Sequence, residues 1–274
     1  MKISDFEKYR IPTGELINIS DYDASETSLF PKGKKASKKE LLHLSQDLDR
    51  LQELLYAEHK HKILVVIQAM DTGGKDSTIR AVYRVFNPQG VRVASFKAPT
   101  STELDHDYLW RIHQQIPGKG EITIFNRSHY EDVLVVLVNK LVPKDTLERR
   151  YEHINDFERM LTDEGTTILK FYLNISKDEQ KKRLQARLDY KGKRWKFDKE
   201  DLKDRTHWKK YMNAYEYILS QTSTDYAPWY IIPANKKWYR NLAVASITSQ
   251  TLQGLDMQYP KATNLEGIVI KKGQ

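Results

Sequence analysis

The nine residues from Lys62 to Met70, KILVVIQAM, constrain this chain more than any other stretch. They form a continuous apolar run of strand length ending at a glycine turn, the pattern of a strand covered on both faces. Such a strand needs neighbours on each edge and helices above and below. The chain supplies the first of these at once. After Asp71-Thr72-Gly73-Gly74, the segment STIRAVYRVF reads as a helix, and Asn87-Pro88-Gln89-Gly90 stops it before a second strand, VRVASFKA.

The same alternation continues. A helix is predicted through about Leu104 to Gln115, then the strand EITIFN, helices near Glu131 to Leu141 and Leu147 to Asp163, the strand TTILKFYLNI, and finally YIIPA followed by a helix. Roughly five strands alternating with helices imply an α/β chain: a mostly parallel five-stranded sheet with helices on both faces. Upstream, SKKELLHLSQDLDRLQELLYAEHK carries leucines at helical spacing, with Ser37 placed to cap and Glu40 three residues on. Residues 1–39 read as an irregular arm. With 274 residues the whole chain, 1–274, is expected to form one domain with an insertion.

Composition narrows the class. Hydrophobic residues at 39% and aromatics at 11% exceed what disordered chains carry. No apolar run reaches membrane-spanning length and no leader pattern is visible, so no membrane is expected and a cytoplasmic protein is the default. Zero cysteines exclude disulfides, cysteine nucleophiles and thiolate metal sites, and the eight histidines are scattered. A net charge of +8, concentrated between Lys181 and Lys210, attracts polyanions without choosing among nucleic acid, anionic membrane and polyphosphate.

Ala69-Met70-Asp71-Thr72-Gly73-Gly74-Lys75-Asp76-Ser77-Thr78 lies where the first strand turns into the first helix. It looks like a modified Walker A loop: Gly74 and Lys75 fit, Ala69 stands for the first glycine, and Asp76 for the hydroxyl residue. Amides at a glycine turn and helix start make an anion cradle, and Lys75 adds a full charge. The competing reading is a plain Gly-Gly helix entry with an exposed lysine. A carboxylate inside such a loop repels phosphate unless a cation intervenes, so Asp71 is read as directing Mg²⁺ or an attacking phosphate oxygen. Asp76 serves either phosphate binding or as helix N-cap.

The strand Ile122 to Phe125 ends in Asn126-Arg127-Ser128-His129-Tyr130-Glu131-Asp132, at the edge where open α/β sheets bind ligands. Asn126 cannot supply the negative charge common at this place in P-loop enzymes, which shifts metal or base duty to Glu131 or Asp132. Arg127 carries a fork suited to two phosphate oxygens. A third segment, Lys181-Lys182-Arg183-Leu184-Gln185-Ala186-Arg187-Leu188-Asp189-Tyr190-Lys191-Gly192-Lys193-Arg194-Trp195-Lys196-Phe197-Asp198, puts Arg183 and Arg187 on one helix face. Gly192 then interrupts the basic run before a helix resumes from Asp201 to Tyr211. Residues 181–211 suit a basic helical lid over phosphates, against a merely solvated basic face. The interleaved Trp195, Phe197, Trp208 and Tyr211 also match single-stranded nucleic-acid binders, but no independent motif of that class is visible.

Together AMDTGGKDST, FNRSHYEDVL and RLDYKGKRWKFDKEDL resemble the polyphosphate kinase 2 family, along with the early Ser-Leu-Phe-Pro-Lys-Gly arm and the late segment from Ala227 to Asn235. The resemblance covers roughly Lys39 to Gly254. It implies a P-loop nucleotide kinase-like α/β/α fold in which polyphosphate donates its terminal phosphate to AMP or ADP, reversibly, forming ADP and ATP. It implies Mg²⁺, with Mn²⁺ as the alternative ion, and a homodimer or homotetramer; the leucines of the Ser37 helix would serve as that interface or lie under the arm.

By motif match, Asp71 orients the acceptor phosphate and metal; Gly73, Gly74 and Lys75, flanked by Thr72 and Ser77, hold the transferred phosphate; and Arg127, Arg183 and Arg187 steady the donor or transition state. Asp201 matches a lid or metal-site acid, with Glu131 as a further metal candidate. Asparagine at 126 is similar to the subgroup that phosphorylates both AMP and ADP. A long polyanion needs a basic channel, for which Lys34, Lys35, Arg80, Arg84, Lys97 and lid bases such as Arg194 are candidates. The rivals are a nucleoside monophosphate kinase using ATP and a P-loop protein that binds nucleic acid without phosphoryl transfer.

Overall fold

A computed structural model describes residues 3–261. Its centre is the apolar run singled out above. Strand β1, Lys62–Gln68, has Ile63 to Ile67 wholly buried. Four more strands join it: β2 Val91–Ser95, β3 Ile122–Asn126, β4 Thr166–Asn174 and β5 Trp229–Pro233. The order is β2-β3-β1-β4-β5 and every pairing is parallel, so the sheet is entirely rather than mostly parallel. Ile67 pairs with Asn126 and Gln68 with Tyr172, which brings the carboxyl ends of β1, β3 and β4 side by side. The chain enters β2 and β3 on one side of β1, then crosses to β4 on the other. Ligands of open α/β sheets bind at such a switch point.

Two helical layers cover the sheet. On one face α1, Gly33–Glu58, packs along the C-terminal helix, Lys237–Gln253, which also meets α2, Lys75–Val82. Short helices α3, Ser101–Leu104, and α4, Trp110–His113, lead into β3. The opposite layer holds α5, Glu131–Asn139, and α6, Lys144–Asp163, with α9, Trp208–Thr222. Between β4 and α9 lie α7, Lys177–Asp189, a 3-10 turn Lys191–Lys196, and α8, Glu200–Thr206. The helix Lys237–Gln253 is α10. No helix among the described residues is long and apolar enough to cross a membrane.

Four local expectations are corrected. The first long helix starts at Gly33, not Ser37, and has no side-chain cap; Ser37 is buried inside it and its hydroxyl donates to the Lys34 carbonyl. Phe30 packs on Trp238 (6.3 Å) and pins the arm there, so the chain enters the helix earlier than a capping signal placed it. Leu44, Leu48, Leu51, Leu54 and Leu55 are buried under α10 rather than under the arm, leaving Leu42 exposed. The single helix expected over Leu104 to Gln115 is broken into α3 and α4, because a capping box between Thr100 and Glu103 starts one turn early and the Asp107 carboxylate takes the Leu109 amide. The helix expected over Asp201 to Tyr211 is likewise divided at His207. The arm itself reaches the far sheet edge, where the Ile11 amide donates to the Trp229 carbonyl.

One ionic cluster sits inside this core. Lys170, in mid-β4 and fully buried, donates to Glu158 Oε2 (2.5 Å), the Tyr130 hydroxyl (2.9 Å) and the Thr222 carbonyl (2.7 Å). Glu158 Oε1 also accepts from Tyr130 and bonds His129 Nε2. Burial opposes ionisation of Glu158, but Lys170 and His129 hold its carboxyl below the usual range. The cluster ties α6, β4 and the end of α9 to Ser128-His129-Tyr130, the segment between Arg127 and Glu131. Glu158→Leu leaves Lys170 as an unpaired buried charge and is expected to cost about 3–5 kcal/mol. Urea unfolding checks it, with Glu158→Leu/Lys170→Met expected to recover much of the loss.

Candidate active site

The loop after β1 is shaped by close packing. The Gly73 amide donates back to the Met70 carbonyl (2.8 Å), closing a turn in which Thr72 takes a left-handed φ of 62°. A Cβ on Gly73 would lie 2.4 Å from the Ala69 Cβ and 2.7 Å from the Met70 oxygen, so only glycine fits. Gly74, at φ 106°, is the N-cap of α2. Asp76 therefore sits in the first turn and not at the cap, and the capping alternative for it falls. Its carboxylate instead accepts from Asn126 Nδ2 (2.7 Å), joining the loop to the end of β3.

Nearly every carbonyl of this loop has a partner. Lys75 Nζ donates to Ala69 (2.8 Å), and Gln180 Nε2 to Asp71 (3.2 Å). Arg183 Nη1 donates to Thr72 (3.0 Å) and Gly73 (2.9 Å), while Thr78 and Ser77 take Gly74. With its acceptors consumed, the loop offers an incoming group the first amides of α2, which have no intrahelical partner. Burial pulls the Lys75 ammonium below its ordinary value, against the attraction of Asp71.

A cleft of about 650 Å³ opens over this loop. Asp71 to Ser77 form its floor, with Asn126 and Arg127 at one side and Arg183, Arg187 and Lys97 around it. Arg127, also in left-handed backbone (φ 63°), reaches Asp71 Oδ1 at 3.3 Å. Burial opposes the Arg127 charge, but Glu131 and Asp71 outweigh it and raise its affinity for the proton. Burial pushes the Glu131 carboxyl up despite Arg127 and Lys75.

Across the cleft, Asp201 pairs with Arg187 (2.6 Å), and burial together with the Asp71 charge lifts it to about 6. Asp204, bonded by the Tyr211 hydroxyl, is raised by burial and by Asp71 as well. Acids placed close enough to Asp71 to feel its charge in this way supply oxygen ligands of the kind a hard divalent cation takes. No three acidic or histidine side chains among the described residues cage an ion. A divalent cation that keeps some of its waters and takes one or two carboxylates plus substrate phosphates fits that arrangement.

Other candidates are placed differently. All five donors of Arg183 are engaged, by Glu179 and by the carbonyls of Thr72, Gly73, Ala234 and Asn235, so it braces the loop while bordering the cleft. Glu131 and Asp201 stand behind the lining, and Arg80 on α2 and Arg84 in the turn after it are exposed outside it, as are Lys34 and Lys35 on α1. Arg194 turns to the Leu188 carbonyl, while Lys193 and Lys196 of the same turn face the cleft.

Sequence reading missed Gln180, Asp204, Lys237 and Arg240. Lys237 lines the cleft and Arg240 lies beneath the loop. Their signal was legible: Lys236, Lys237 and Arg240 open a helix with no acid in its first turn, where the macrodipole disfavours cations.

Residues 32–261 match the profile of Polyphosphate kinase 2 (PPK2). The chain belongs to the polyphosphate kinase 2 family. It is 59% identical over 266 residues to the AMP/ADP-polyphosphate phosphotransferase of Meiothermus ruber, covering 97% of this chain and all of that protein. It is 41% identical to the ADP-polyphosphate phosphotransferase of Rhodopseudomonas palustris, over 96% and 94% of the two chains. The crystal structure of polyphosphate kinase 2 from Arthrobacter aurescens superposes with a TM-score of 0.92 at 43% identity, covering 96% of this chain and 93% of that one. This member of the family is thus an enzyme that transfers phosphate.

Gly73→Ala forces the loop apart from Ala69 and Met70. It is expected to destabilise the fold by about 1–3 kcal/mol and to remove most phosphoryl transfer, as denaturant melts and turnover of the same preparation would show.

Proposed function

We propose that this polyphosphate kinase 2 transfers the terminal phosphate of inorganic polyphosphate to AMP and to ADP, forming ADP and ATP, and runs in reverse when ATP is in excess. The observation that carries the reading is the cleft itself: an amide-lined loop with Lys75 at its base and a rim of Lys97, Arg127, Arg187, Lys193, Lys196 and Lys237. Such a rim suits a long polyanion better than a compact donor carrying a base. The relatives from Meiothermus and Rhodopseudomonas, named for AMP/ADP and ADP phosphorylation, support the same choice.

In this reading the α2 amides and Lys75 bind the phosphoryl group in flight, whose charge spreads over its equatorial oxygens. Arg127 and Arg187 hold neighbouring phosphates by their forks, and Arg183 acts one step back by keeping the loop in shape. Asp71, with Asp201 or Asp204 as a second carboxylate, would hold Mg²⁺, which would supply charge neutralisation to the phosphates. Asn126 bonds Asp76 and so sets the spacing of loop and β3; as an amide it is no general base. A loose transition state makes positioning sufficient. Residues 181–211 act as a lid, since Lys193, Lys196 and Arg187 reach the cleft from that segment alone.

The test is ATP and ADP formation by the purified protein with Mg²⁺ and long-chain polyphosphate, offering AMP and ADP separately. Product from both acceptors is expected; no product from either, with activity when ATP is the donor, would overturn the reading. Lys75→Ala is expected to lower turnover roughly 10²–10³-fold while leaving thermal unfolding close to wild type. Asn126→Asp is expected to change the ratio of AMP to ADP turnover, because a second carboxylate would face Asp76; an unchanged ratio would detach this position from acceptor choice.

A further inference from the structure

Arg240 is a buried cation without an acid. Its side chain is 1% exposed, on the first turn of α10. Nε and Nη2 donate to the Asn241 amide oxygen (3.1 and 2.7 Å), and Nη2 donates to the Ser77 hydroxyl (3.1 Å). Nη1 is buried with no partner among the described residues. It lies against the phosphate loop, where a Cβ on Gly74 would be only 2.0 Å from it. Ser77, in turn, donates to the Gly74 carbonyl, so its hydroxyl joins the guanidinium to the helix N-cap.

The charges around Arg240 make its position harder to hold. Arg183 and Lys237 are its cationic neighbours, and burial followed by Arg183 drags its proton affinity down to about 9. A buried charge is kept only when something compensates it, and neutral oxygens do so incompletely. The floor of the cleft above Gly74 and Ser77 is where an anion would bind, and there the missing counter-charge can arrive.

We propose that Arg240 is a positioning residue of phosphoryl transfer: from beneath Gly74 and Ser77 it fixes the start of α2, and the phosphate bound on the other side of the loop serves as its counter-ion. This rests on the reading of the loop as a phosphate site. The ligand-free protein thereby holds an electrostatic strain that polyphosphate relieves, so loop order and donor affinity are linked through a residue that never touches donor or acceptor. Its placement at a helix start, unfavourable for a cation in isolation, is then part of the same device.

The experiment compares wild type, Arg240→Met and Arg240→Lys by thermal unfolding and by calorimetric titration with inorganic tripolyphosphate in the absence of nucleotide, together with KM and kcat for polyphosphate. The Met variant is expected to be at least as stable as wild type without ligand, to gain less in Tm from tripolyphosphate, and to bind it roughly tenfold more weakly, with KM rising. The Lys variant, which keeps the charge, is expected to retain most of the affinity. A Met variant that is less stable or unfolded without ligand, or that binds tripolyphosphate as tightly as wild type, would overturn the proposal and leave Arg240 a packing strut. Absence of tripolyphosphate binding by the wild type itself would instead bring down the phosphate-loop reading on which it stands.

Discussion

The site depends on how the carbonyls between Ala69 and Gly74 are satisfied. A loop at the end of a buried strand has as many acceptors as donors, and an anion is drawn only if the acceptors are tied away. Lys75, Gln180, Arg183, Ser77 and Thr78 do this, and three of them belong to the loop's own helix. Gln180 and Arg183 come from α7, so the first helix after β4 is part of the loop's construction. The topology makes this possible: β4 lies directly beside β1, and the residues after it start level with the loop.

Charge is divided across the cleft in a way that suits metal-assisted transfer. Acids gather at Asp71, Asp201 and Asp204, which repel one another, and bases gather at Lys97, Lys193, Lys196 and Lys237. A divalent cation on the acidic side and a polyanion on the basic side cancel both excesses only when both ligands are present. Arg127 stands between, near Asp71, in a strained backbone that the Lys170–Glu158 cluster steadies from within the core.

Much of this was legible in sequence because the signals were local. The apolar run at β1, the glycine turn and the basic tract of α7 each announce themselves within a dozen residues. The errors arose where a distant partner decides: Phe30 meeting Trp238 moved the start of α1, and the Asp107 carboxylate divided a helix that periodicity alone would continue. Arg183 carried the right residue type but a different geometry, since four of its five donors meet carbonyls whose positions no linear reading supplies. Arg240 lies more than 160 residues from the loop it supports, and only the fold brings them together.

The central claim is that one loop passes a phosphoryl group directly from a polyphosphate chain to a nucleotide. Single-turnover reaction of excess enzyme with terminally ³²P-labelled polyphosphate, Mg²⁺ and AMP measures this by following where the label goes. The account predicts label in the β-phosphate of ADP, with none released as inorganic phosphate. Label appearing as free phosphate, or remaining on the chain while AMP is unchanged, would contradict it.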